Sequence, residues 1–336
     1  MKKTYMISAV ISLIVVLLVA SSIFINGCAS KTVKVYHVGI LSGLDAFAGT
    51  ADSFKQEMTN LGYIEGKNIV YDYQKTNFEP EKDQKILKKF VDDKDDLIFG
   101  FNTEVALEAK EATKGTGIPI VFANAFLEGN NLVESVQVPG GNVTGVRYPN
   151  IDIAIKRLEI LHELAPQAKR IWIPYQAGYP TAPSILAILR PAAVSLNLTL
   201  IEFSSNNLTE LQAELERRSQ SGDIGFDAVL YIPESLSTTK AAFEIITNFT
   251  RDKKIPVGGS AIVTKDYGTV FSVTVDNNKV GKQAAHLADK ILKGADAGTI
   301  PVVSPESRII INYKVAQNLG LNVSEGMLAQ ADEIIR

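Results

Sequence analysis

The chain has 336 residues, 46% hydrophobic and 21% charged, a globular composition that excludes a disordered or fibrous protein and has room for two domains of about 150 residues. A net charge of −3 gives no electrostatic reason to expect a nucleic-acid partner. The single cysteine excludes an internal disulfide framework and any multi-cysteine metal site.

Lys2 and Lys3 precede a stretch without charge, residues 6–25. A basic start and an apolar core form an export signal, although this core exceeds the usual run of about 7–15 residues. As an uncleaved helix rising about 1.5 Å per residue it is also long enough to span a bilayer. The following Ile25-Asn26-Gly27-Cys28 resembles a bacterial lipobox, which implies removal of residues 1–27 and a lipid on Cys28. The other reading is a plain membrane anchor that ends in a chance cysteine. Both put the rest of the chain outside the cytoplasm and tied to a membrane, with residues 28–33 as a tether.

Beyond the tether, strand and helix patterns alternate. Residues 33–41 (VKVYHVGIL) read as a buried strand, 48–61 as a helix ending at Gly62, and 68–73 (NIVYDY) as a strand. Residues 80–92 carry an apolar helical stripe of Ile86, Leu87, Phe90 and Val91. A strand at 96–101 (DLIFGF), a helix at 103–113 and a strand at 118–123 (IPIVFA) complete the first set. After an amphipathic helix at 153–164 the order repeats. Strands are expected at 170–175, 198–203, 227–232 and 255–258, and helices at 183–196, 208–219 and 237–251. Strands separated by helices join by right-handed crossovers into parallel sheets covered on both faces. The fold class is therefore α/β, with two similar doubly wound parallel-sheet lobes. The remaining elements, a strand at 269–275, a helix at 280–293, a strand at 308–313 and a helix at 315–319, must attach to these lobes. The chain is expected to return to the first lobe at Thr269 and to cross again near Pro301, giving a three-stranded hinge. Lobe 1 then comprises 34–148 plus 269–300, and lobe 2 comprises 149–268 plus 301–336.

No enzyme signature stands in the sequence. There is no GxxxxGK[ST] phosphate loop, no GxGxxG after a strand and no GxSxG elbow. His37, His162 and His286 are dispersed and read as structural, and no catalytic residue, metal or cofactor is expected. Three segments carry a resemblance instead: LGYIEGKNI at 61–69, PGGNVTG at 139–145, and GKQAA at 281–285 followed by ILKG at 291–294 and Ile300-Pro301-Val302. Together they resemble the substrate-binding proteins of ABC importers, in the branch that includes tryptophan- and tyrosine-binding members. The resemblance runs from about Lys34 to the C-terminus. It implies a type I periplasmic-binding fold, and a lipid anchor is common in that family. The motif residues themselves read as structural, Gly62 as a helix cap and 139–142 as a turn cluster.

In open α/β sheets ligands bind beyond the carboxyl ends of the strands. That rule selects Ser42, Asp45 and Phe47 after the first strand, Asn102 and Thr103 after DLIFGF, Asn124 and Phe126 after IPIVFA, and Tyr148 at the hinge. In the second lobe it selects Tyr175, Gln176 and Tyr179, then Glu234 and Ser260, whereas Asp276 reads as a helix cap. Ser42, Asn102 and Thr103 are neutral donors able to hold a carboxylate at a helix N-terminus. Amino-acid-binding members of the resembled family carry an Asp-Pro pair soon after the strand matching 118–123. This chain has Asn124-Ala125-Phe126-Leu127-Glu128-Gly129 there, which leaves Glu128 or Glu234 as substitutes for the ammonium contact.

The expected function is that of a lipid-anchored solute receptor. It would act as a monomer, close on an aromatic or other amino acid, or a related small polar molecule, and deliver it to an ABC permease with its ATPase. The alternative is a sensory receptor that feeds a membrane kinase or chemoreceptor. An extracytoplasmic enzyme is disfavoured by the missing nucleophile, and a cytoplasmic repressor by the export signal.

Overall fold

The computed structural model describes residues 34–43, 48–76, 79–179, 181–234, 239–259, 264–266 and 268–336. Cys28, Asp45, Phe47 and Ser260 lie outside the described residues, as does the whole apolar N-terminal run.

The first sheet contains β1 (Tyr36–Ser42), β2 (Ile69–Lys75), β3 (Leu97–Phe101), β4 (Ile120–Ala125) and β5 (Val143–Arg147). Their spatial order is β2-β1-β3-β4-β5, and every pairing is parallel. β3, LIFGF, is buried along its whole length because helices cover both faces. Its alternating side chains separate two apolar clusters. Phe99 stacks on Phe54 of α1 (Ala48–Asn60) with ring centroids 4.2 Å apart. Ile98 faces the other way, into the cluster that holds Phe90 of α2 (Pro80–Asp92) and Val105 and Ala109 of α3 (Thr103–Ala112).

The second sheet contains β6 (Arg170–Gln176), β7 (Thr199–Ser205), β8 (Ala228–Leu230), β9 (Val257–Gly259), β10 (Phe271–Val275), β11 (Ser307–Asn312) and β12 (Glu333–Ile335). It is flanked by α4 (Asn150–Leu164), α5 (Ala182–Ser195), α6 (Leu208–Ser219) and α7 (Lys240–Arg251). The spatial order is β12-β11-β10-β9-β8-β6-β7. Trp172 is fully buried, stacks on Phe226 at 5.0 Å, and packs with Leu211, Phe243 and Ile246.

Pairing places the strand at 269–275 in the second sheet, not in the first lobe. β10 is parallel to β9 and antiparallel to β11. Phe271 and Val273 are fully buried, and the free edge of the neighbouring β9 is where such a strand satisfies its backbone soonest. The return to the first lobe therefore falls one element later. Asp276 caps α8 (Asn277–Leu292) through its carboxylate, and α8 packs on α1 and against β4 and β5. The second sheet is also mixed. β10 leaves it at the edge facing the first lobe, and β11 re-enters at that same edge, so β11 must run opposite to β10. β12 and the short helices α9 (Tyr313–Asn318) and α10 (Glu325–Gln330) close the C-terminus, adding a helix and a strand beyond the sequence expectation.

The GKQAA motif now has a packing reason. A Cβ at Gly281 would collide with the Ser53 hydroxyl and the Thr50 carbonyl of α1, so glycine permits the close approach of α8 to α1.

Candidate functional site

Three segments join the lobes: Tyr148-Pro149 after β5, Asp276 after β10, and 301–306 before β11. The third lies along the first, since Val303 N donates to Gly145 O and Arg147 N donates to Val303 O, both at 2.9 Å. Chain direction therefore turns the carboxyl edges of the two sheets toward each other. In the first sheet the strand order reverses between β1 and β3, and in the second between β6 and β8. These switch points are where an open α/β sheet leaves a crevice.

At the first switch point Ser42 is fully buried and Asn102 follows β3. Asn102 stands at the N-cap of α3 but does not cap it, with φ 84 and ψ −174, a region that essentially only glycine occupies without strain. Its amide Nδ2 donates to the carboxylate of Glu104, and its Oδ1 is buried without a partner. The other Glu104 oxygen accepts from the Tyr179 hydroxyl at 3.4 Å, so a side chain after β6 reaches across to the first turn of α3. Burial, and then the charges of Glu104 and Glu234, push the Tyr179 hydroxyl pKa up. One turn further along α3, the Glu108 carboxyl is raised to about 7 by burial and by its neighbours Asp83 and Glu104.

The second switch point is held by Glu234, which is 2% exposed and accepts from Gln176 N at 2.9 Å. Tyr175 is half-buried against the main apolar cluster. Deeper, toward the crossings, Thr103 Oγ1 accepts from Phe126 N at 3.0 Å, and the Phe126 ring meets Tyr148 edge-on at 5.4 Å. Asn124 sits at a β-bulge between Ala123 and Ala125 with φ 53. Its amide donates to Asn277 Oδ1 at 3.1 Å, and its own oxygen is unpartnered.

Arg157 lies on α4 and is 2% exposed. Its guanidinium donates to Val273 O at 2.6 and 2.9 Å and to the Tyr148 hydroxyl at 3.1 Å, while Nη1 has no partner. Burial pulls its pKa down, and the Tyr148 hydroxyl opposes that pull. Asn150, at the start of the same helix, is 1% exposed with both amide atoms unpartnered. One sequence signal marked Arg157. It shares a helical stripe with Ile153, Leu161 and Leu164, so a cation stands at an apolar position. Glu104 carried no such signal, because an acidic residue in a first helical turn is ordinary.

Pairwise contacts thus link Asn102 to Tyr179 through Glu104, Thr103 to Phe126, Phe126 to Tyr148, and Gln176 to Glu234. Asn124 turns toward the start of α8. The Asn102 amide is committed to Glu104, so an anion at the N-terminus of α3 would meet the chain's own carboxylate. Glu128 is engaged by Arg147 at 3.4 Å. Among the described residues no group of three or more His, Cys, Asp or Glu is placed to hold a metal ion.

Two doubly wound lobes joined by three crossings define a two-lobed binding-protein fold. Residues 35–335 match the model of the ABC transporter substrate binding protein family, and the chain belongs to that family. A tyrosine-binding protein of Clostridioides difficile is 31% identical over 270 residues, covering 80% of this chain and 75% of the relative. A domain from Streptococcus pneumonia solved in complex with L-Trp superposes with a TM-score of 0.78 at 24% identity, over 90% of this chain and 100% of the other. The ligand-free, open structure of a substrate binding protein with adhesive properties from Clostridium difficile superposes with a TM-score of 0.70 at 25% identity, over 89% and 99%. These relatives are solute-binding proteins, and the chain is a binding protein rather than an enzyme.

Proposed function

We propose that this protein is a lipid-anchored receptor that captures an amino acid outside the cytoplasm and delivers it to an ABC permease. The single observation behind this reading is the contact between the two switch points, where the Tyr179 hydroxyl of the second lobe donates to Glu104 of the first, beside Asn102. The tyrosine-binding relative and the tryptophan-bound structural neighbour make an aromatic amino acid the leading ligand. Phe126 and Tyr148 supply flat apolar surface, and ring contacts of this kind are worth about 0.5–1.5 kcal/mol each. Closure requires that the ligand bind the closed form better than the open one, and a contact made only across the crevice supplies such a difference.

The test is a thermal-shift screen of residues 29–336 after partial unfolding and refolding to release carried ligand. The panel holds amino acids, purines and small carboxylates. A true ligand at 100 times its dissociation constant stabilises the protein by about 2.7 kcal/mol. No shift with any compound, and no small molecule seen by native mass spectrometry, would overturn the receptor reading. The anchor is tested separately: Cys28→Ala is expected to release the protein from the membrane fraction, and retention without lipid would instead support an uncleaved span.

A further inference from the structure

We propose that Arg147 is a positioning residue for lobe closure. Its guanidinium is shared between one carboxylate of each lobe, and the share held by Asp152 sets how far the lobes rest together before a ligand arrives. The inference goes beyond the receptor reading above and rests on it only for the meaning of closure. Three observations converge on it. Arg147 ends β5, directly before the crossing at Tyr148-Pro149. Its side chain reaches three parts of the molecule at once. Nη1 lies 3.4 Å from Glu128 in the first lobe, Nη2 lies 3.6 Å from Asp152 in the first turn of α4, and Nε donates to Ser304 Oγ of the third crossing at 2.5 Å. Its backbone N–H donates to Val303 O, so the guanidinium is carried on the paired first and third crossings.

The bond to Ser304 is short, whereas both carboxylates stand farther off than the roughly 2.7–2.9 Å of a tight charge-assisted bond. The guanidinium is thus pinned on one side and divided on the other. Only Tyr148-Pro149 and the start of α4 separate Arg147 from Asp152 along the chain. Rotation at this crossing therefore changes the Arg147–Asp152 distance, while Glu128 travels with the first lobe and Arg147 with it. In the arrangement described, Tyr179 reaches Glu104 across the switch points and the Asp152 pair is made. Opening hands the guanidinium back to Glu128, so the cation keeps a partner in both arrangements. Such an exchange keeps the two arrangements close in free energy, which lets the differential affinity of a ligand decide between them. Asp152 is exposed, so salt screens its pair, and a pair of this kind shifts an equilibrium by about two- to fivefold.

The experiment reads lobe separation directly. Residues 29–336 contain no cysteine, so Lys85→Cys on α2 and Ala213→Cys on α6, both exposed positions, place one dye on each lobe. Single-molecule energy transfer without ligand then gives the ratio of near to far lobes. Asp152→Asn is expected to lower that ratio about two- to fivefold, and Asp152→Glu to restore it. Raising NaCl from about 0.05 M to about 0.5 M should lower the ratio in the wild type and leave Asp152→Asn unmoved. In an Arg147→Gln background, Asp152→Asn should have no further effect, because the pair is already gone. With L-tyrosine and L-tryptophan as probes, affinity should fall by the same factor, mostly through faster dissociation. A ratio that Asp152→Asn leaves unchanged would overturn the proposal, whatever happens to the melting temperature. So would an equal shift in the Arg147→Gln background, which would trace the effect to the charge of Asp152 on the dipole of α4. A ratio that shifts as expected while neither probe binds would support this inference and count against the aromatic amino-acid reading alone.

Discussion

The two lobes share one winding scheme but place their strained backbone at opposite ends. In the first lobe Asn102 and Asn124 adopt positive φ at the carboxyl ends of β3 and β4, beside the crevice, and both carry unpartnered oxygens. In the second lobe the described non-glycine residues with positive φ are Asn197 and Lys254, which lie before β7 and β9 at the far edge of the sheet. There they serve ordinary turns out of helices, as Lys94 does before β3. Strain beside unspent polar atoms is what a site holding side chains ready for a partner requires, while strain in a connecting turn is only geometry. Under the proposed function, the first lobe would hold more of the recognition chemistry, with Tyr179 of the second lobe reaching it through Glu104.

This contrast can be broken in several ways. The largest effect is expected in the second lobe's core: Trp172→Ala should cost about 3–5 kcal/mol in urea unfolding, because it removes the stack on Phe226 and leaves a cavity. Surviving protein should still bind ligand, since the tryptophan lies in the core cluster rather than the crevice. In the first lobe, Gly281→Ala should cost about 1–3 kcal/mol by forcing α8 away from α1. A neutral result would mean that the two helices slide freely, and that the lobe is less rigid than its burial implies.

The sharpest comparison pairs two asparagines. Asn102→Gly should raise stability by about 1 kcal/mol through relief of strain, and should lower ligand affinity. Asn197→Gly should change stability by less, because asparagine tolerates the left-handed turn, and should leave affinity untouched. Equal behaviour of the two variants in both assays would erase the distinction between the lobes.

The smallest effect is a pH slope. The Glu108 carboxyl is raised from 4.5 to about 7 in the folded protein, first by burial. Its protonated form thus contributes stability that is fully present below pH 4.5 and lost as pH rises through about 7. Asp95, raised from 3.8 to about 6 mainly by burial, acts in the same direction at lower pH. Glu108→Gln should flatten the fall in melting temperature between pH 5 and 8 and raise the value at pH 8. An unchanged slope would show that the carboxyl is better solvated than its surroundings indicate.

Much of the architecture was legible because apolar periodicity is local. The alternation of LIFGF with its flanking helices, the buried IWIP of β6 and the cap at Asp276 all follow from neighbours within a few residues. The motifs at 139–145 and 281–302 likewise pointed to the family. The fate of the strand at 269–275 was not legible, because either sheet offered it an edge and only tertiary pairing chose between them. Arg157 looked like one more charge on a helix, and Glu104 like a routine first-turn acid. Their meaning depends on Val273, Tyr148 and Tyr179, which are 116, 9 and 75 residues away.

By itself, then, the sequence determined the two wound lobes and pointed to the family, since each follows from short-range pattern and chain direction. The tertiary structure decided which side chains at that edge remain unspent. Hydrogen-bond partners across a crevice come from distant segments, and only their meeting shows that Asn102 and Glu104 face Tyr179, and that Arg157 lies buried at the crossings with a donor to spare.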